Sequence, residues 1–135
     1  MQRKLFRSLA GMVLCLVSMA GCMETALVGV GATGALAGYK WMEGTLTREY
    51  PRSLPEMDQA VQNTCRNLRI KISERRVTPT KATISGVDAN GEDVRINMDA
   101  RPNNITSVGV RMGGFMGNRE ASQIFHNQLA KELGL

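Results

Sequence analysis

From residue 44 onward the chain sorts into five short runs in which apolar and polar residues alternate and two longer runs at helical spacing. Leu46 and Tyr50 fall on one side of Thr45–Tyr50, and Ile70 and Ile72 alternate with Arg69, Lys71 and Ser73. Ala82 and Ile84 alternate with Thr83 and Ser85; Val94, Ile96 and Met98 with Arg95, Asn97 and Asp99; Val108, Val110 and Met112 with Ser107, Gly109 and Arg111. Period-two alternation predicts strands with one buried and one wet face, the habit of an antiparallel sheet. Leu54, Met57, Val61, Cys65 and Leu68 recur at helical spacing, behind a Ser53-x-x-Glu56 capping box that starts a first helix. A second helix follows Asn118, with Ala121, Ile124, Phe125, Gln128, Leu129 and Leu133 as its expected inner face and Gly134 at its end. His126 then falls toward the polar side and is expected in solvent.

Asn90-Gly91 between the third and fourth runs predicts a type I′ hairpin, and Arg101-Pro102-Asn103-Asn104 the next turn. The order is β-α-β-β-β-β-α. Two helices on one face of an antiparallel sheet of four to five strands make an α+β two-layer sandwich.

The chain ahead of that domain has a different grammar. Arg3, Lys4 and Arg7 precede an uncharged run from Ser8 to Met19, then Ala20, Gly21 and Cys22. A basic start, a short apolar core and small residues before a break are the layout of a secretory signal. The Met19-Ala20-Gly21-Cys22 ending resembles the lipobox of bacterial lipoproteins, with Met19 where leucine is usual. The resemblance implies cleavage after residue 21 and acylation of Cys22. Residues 1–21 then form the signal, 22–43 a lipidated, glycine-rich apolar tether, and 44–135 a small folded domain. Two or more acyl chains anchor a protein stably without a spanning helix. The expected location is the cell envelope, on the periplasmic side of the outer membrane if the cell is Gram-negative, since Met23 rather than Asp follows the cysteine. The other reading of the two apolar stretches is one interrupted membrane segment.

Three of the seventeen basic residues lie in the signal, leaving fourteen against twelve acidic, a balance of +2. That is no footprint of a nucleic-acid binder. With Cys15 removed and Cys22 acylated, Cys65 has no disulfide partner, and its place on the helical stripe predicts a small core hydrophobe.

Gly29-Val30-Gly31-Ala32-Thr33-Gly34 spells G-x-G-x-x-G, but too few residues precede it for a buried strand, and Thr45–Tyr50 is too polar for the interior of a parallel sheet. No cofactor is expected. The same glycines, with Gly34-x-x-x-Gly38, suit either a flexible spacer or close helix packing in a membrane-associated oligomer. A single histidine offers no transition-metal ligand set. Asp88, Asn90, Glu92 and Asp93 gather around a turn but lack EF-hand spacing. Asn104-Ile105-Thr106 matches a glycosylation sequon and reads here as a turn leading into a strand.

Gly38-Tyr39, Gly44-Thr45-Leu46, Tyr50-Pro51, the helix from Leu54, Ile84-Ser85-Gly86 and Asn90-Gly91 together resemble a bacterial lipoprotein family catalogued as domain of unknown function 3568. The resemblance implies a small envelope lipoprotein and transfers no catalytic residue. Strict alternation sends Arg69, Lys71, Arg75, Arg95 and Arg111 out from the sheet face opposite the helices. That basic face is the expected working surface, for a lipid headgroup, a cell-wall polymer or an acidic protein. The protein is expected to be non-enzymatic, with a binding or assembly role; the competing expectation is a small hydrolase whose site forms only in three dimensions.

Overall fold

The computed structural model describes residues 38–135; the expected signal, Cys22, the G-x-G-x-x-G run and the rest of the tether before Gly38 lie outside the described residues. Six strands and two helices follow in the order β1 (Lys40–Met42), β2 (Thr45–Tyr50), α1 (Leu54–Asn67), β3 (Lys71–Val77), β4 (Lys81–Val87), β5 (Asp93–Arg101), β6 (Ile105–Met112) and α2 (Arg119–Glu132). The sheet order is β1-β2-β6-β5-β4-β3, with every pair antiparallel. Strands β3 to β6 form a meander, and α1 carries the chain across the sheet from β2 to its far edge.

This is the expected α+β sandwich with one strand more. β1 lies inside the stretch assigned to the tether. Three residues are too short to show a period, and the turn that pairs them with β2 is Glu43-Gly44, with φ of 50° and 76°. Positive φ at both central residues is the type I′ signature. At Asn90-Gly91, where that turn was expected, only Gly91 has positive φ. There the hairpin closes through Gly91 N donating to Asp88 O, while Asp88 Oδ1 accepts from the N–H groups of Asn90 and Glu92.

The core lies between one sheet face and both helices. Met57, Val61 and Cys65 from α1 and Phe125 and Leu129 from α2 meet Ile84, Ile96, Met98, Val108 and Val110. The Ser53–Glu56 capping box forms, and Asn118 Oδ1 accepts from Ala121 N. Of the expected inner face of α2, Phe125 and Leu129 are buried and Ala121 and Leu133 pack against the core, but Ser122 and His126 are buried with them and Ile124 is exposed. His126 is thus a core residue, not a surface one, because the fold offers both of its ring nitrogens a partner.

One bulge decides the composition of the open face. Pairing passes from Ile72↔Gly86 to Glu74↔Ser85, leaving Ser73 as the extra residue, its Oγ donating to Ser85 O at 3.1 Å. A bulge adds one residue to one strand and reverses the alternation beyond it. Gly86 permits the close approach, since a Cβ there would stand 2.3 Å from Lys71 O.

Candidate anion-binding face

β5 shows how the two faces are built. Val94, Ile96 and Met98 are buried toward the helices, while Arg95 and Asn97 point away with the exposed side chains of Lys71, Glu74 and Arg76. No helix covers this second face among the described residues. Arg95 stands directly opposite Arg111 on β6. Like charges at directly opposed sheet positions repel. Neither takes part in an ion pair among the described residues; the three pairs found are Arg75–Asp58, Arg76–Glu74 and Lys81–Asp99.

Arg111 is held in place. Its Nη2 donates to Phe115 O at 2.8 Å and Glu43 O at 3.2 Å, and its guanidinium lies 5.7 Å from the Phe115 ring centroid. Its Nε is buried and has no hydrogen-bond partner. Arg95, Arg111, Ser73, Ser85, Asp93 and the Gly113–Phe115 loop line a hollow of about 410 Å³. A second hollow of about 410 Å³ continues from Arg95 past Asn97 to Glu74 and Arg76. Arg111, braced, and Arg95 opposite it stand outside the ion pairs of the described residues, beside the Ser73 and Ser85 hydroxyls and the Asp93 carboxylate. Guanidinium groups match carboxylate and phosphate oxygens in pairs, so the two cations suit an oxyanion.

Of the five residues expected on this face, Lys71, Arg95 and Arg111 are there. Arg75 is not. Beyond the bulge it pairs with Ile84 on the helix side, and its guanidinium makes a two-pronged ion pair with Asp58 of α1. That partner raises the pKa of Arg75, through hydrogen bonding first and charge second. Arg69 is also displaced: it sits in the turn after α1 at φ 56°, where Ile70 N donates back to Cys65 O. Arg76, which strict alternation assigned to the buried side, takes Arg75's place on the open face. The isolated Gly86 in β4 was the available signal for this shift, since glycine within a strand marks bulges and close approaches.

The helix side carries a second polar cluster. His126 Nε2 lies 2.8 Å from Leu46 O and Nδ1 lies 2.7 Å from the Tyr50 hydroxyl. A carbonyl only accepts, so Nε2 carries the proton and Tyr50 donates to Nδ1. Burial lowers the His126 pKa to about 4, against the raising effect of the Leu46 hydrogen bond and with a further lowering from Arg48. Burial likewise raises the Tyr50 pKa. Arg48 lies 5.2 Å from the ring centroids of both Tyr39 and Tyr50, closing the cluster from the side. Both ring nitrogens of His126 are engaged in holding α2 to β2.

Cys65 is a free thiol buried in the core, its pKa pushed up to about 11 by that burial. Asp88 is occupied by the turn described above, and no group of three or more His, Cys, Asp or Glu among the described residues is placed to hold a metal ion. Among those residues no helix is long and apolar enough to cross a membrane.

The chain belongs to the family described as protein of unknown function (DUF3568), whose profile matches residues 5–132. A search of the curated proteins gave no match.

Proposed function

We propose that this protein is an acylated lipoprotein of the bacterial cell envelope whose open sheet face binds an anionic partner, in a non-enzymatic binding or assembly role. The Arg95–Arg111 pair carries the reading. Two cations set against each other across a strand pair destabilise the sheet unless something negative lies over them. Membrane attachment rests on the lipobox-like Met19–Cys22 segment, and acyl chains on Cys22 would hold the domain at the bilayer through residues 23–37.

Two measurements test the two halves. Intact mass and membrane fractionation of the expressed chain, beside Cys22→Ser, should give a mature mass beginning at Cys22 with acyl groups, both lost in the variant. An uncleaved, unmodified chain overturns the anchor. On titration with inorganic phosphate, the Nε–H resonances of Arg95 and Arg111 should shift, Arg111 most, and Arg95→Ser should weaken the response. Unmoved resonances overturn the binding face.

A further inference from the structure

Building on the open face as an anion-binding surface, we propose that its end formed by Arg95, Arg111 and the Gly113–Gly117 loop docks on a phospholipid surface. The guanidinium groups take the phosphate of a headgroup, and Phe115 and Met116 enter the interfacial layer.

Phe115 and Met116 are 89% and 83% exposed, consecutive, and beside the hollow that the two arginines line. Exposed Met42 closes the adjoining β1–β2 hairpin, whose turn touches the same loop. A large apolar pair next to unpaired cations is the chemistry of an interface with phosphate above and acyl chain below.

The loop presents these side chains from a braced backbone. Arg111 ties Phe115 O to Glu43 O, and Gly117 N donates to Gly114 O at 2.9 Å. Gly44 and Gly117 meet so closely that a Cβ on Gly117 would stand 2.1 Å from Gly44 O. Exposing two large apolar residues on a fixed loop gives the folded chain nothing in water. Transfer into an interfacial layer removes their apolar surface from it.

Charge at this end sets the mode of recognition. Glu43, Asp88, Glu92 and Asp93 lie in the turns and strand ends around Lys71, Arg95 and Arg111, so this end carries no excess of positive charge. Long-range attraction to a negative bilayer is therefore small, and the contact reads one phosphate rather than a surface potential. Docking should then depend only mildly on salt. A weak contact is sufficient, because a tether raises the effective concentration of membrane near the domain.

The test uses the full chain on vesicles of phosphatidylcholine and phosphatidylglycerol with brominated acyl chains, reading Phe115→Trp fluorescence after subtracting the Trp41 signal of the parent. Quenching that falls several-fold in Phe115→Trp/Arg95→Gln, with unchanged circular dichroism, supports the docking. Quenching indifferent to Arg95→Gln overturns the phosphate contact. If residue 115 is never quenched while inorganic phosphate still shifts the arginine resonances, docking fails and the anion-binding face stands. If neither responds, both fail.

Discussion

Strand β5 belongs to two surfaces made under opposite rules. On its helix side Val94, Ile96 and Met98 are buried, and polar groups that enter this side come with partners. Asp58 meets Arg75, His126 bridges Tyr50 and Leu46, Thr64 donates to Ala60 O, and Thr106 donates to Arg52 O. Ser122 Oγ is the exception. On the other side Arg95 and Arg111 oppose each other with no carboxylate between them. Buried polar groups must be satisfied inside the protein, whereas exposed ones need not be. Where a sheet leaves like charges facing each other, complementarity to something outside the chain is the physical account of it.

Neighbouring residues on β5 therefore give the sharpest contrast. Ile96→Ala empties a fully buried site and should destabilise by about 2–5 kcal/mol. Arg95→Ala should change stability by no more than about 0.5 kcal/mol, with stabilisation the expected sign as the repulsion is relieved. Urea unfolding of both variants measures the difference. A comparable loss from Arg95→Ala would mean that the open face is structural.

Acid probes the helix side through His126. The His126 pKa falls from 6.5 in the unfolded chain to about 4 in the folded one. Between those values the unfolded chain binds a proton that the native state refuses, so stability declines as pH drops through the window. Above pH 6.5 this group contributes no slope. The full shift corresponds to about 3 kcal/mol. His126→Phe should lose stability at pH 7 by removing the bridge, and should flatten the decline between pH 6.5 and 4. An unchanged slope in that variant would place the acid sensitivity elsewhere.

Most of the architecture was legible because burial imposes a period. Alternation in β2, β4, β5 and β6 and the 53–68 stripe gave the layers and the element order directly. The misplacements occur where a single residue resets the phase. Ser73 adds one position to β3, and from there Arg75 and Arg76 exchange faces. In α2 the expected Phe125 and Leu129 are buried, but the stripe is turned enough to take in Ser122 and His126 and leave Ile124 outside, which polarity alone does not reveal. The His126 partners, Tyr50 and Leu46, lie 76 and 80 residues away in sequence. No local pattern could show that they would satisfy a buried imidazole. Of the basic face, the two residues that oppose each other were placed correctly, since β5 and β6 pair without a bulge.

Arg69 separates the two surfaces by a smaller effect. It was assigned to the open face, yet it occupies the left-handed position that ends α1, where Leu68 N donates to Thr64 O and Ile70 N to Cys65 O. Helices ending this way strongly favour glycine at that site, and α2 has Gly134 at φ 71°. A side chain in this conformation costs roughly 1–2 kcal/mol in the folded state, partly offset by the greater freedom glycine gives the unfolded chain. Arg69→Gly should therefore stabilise by about 0.5–1 kcal/mol. The same variant should leave the phosphate response of Arg95 and Arg111 unchanged, because position 69 belongs to the turn and not to the hollow they line. Arg95→Ser should do the reverse, weakening the response at nearly constant stability. A weakened phosphate response in Arg69→Gly would extend the binding surface around the end of α1 and dissolve the separation between the two faces.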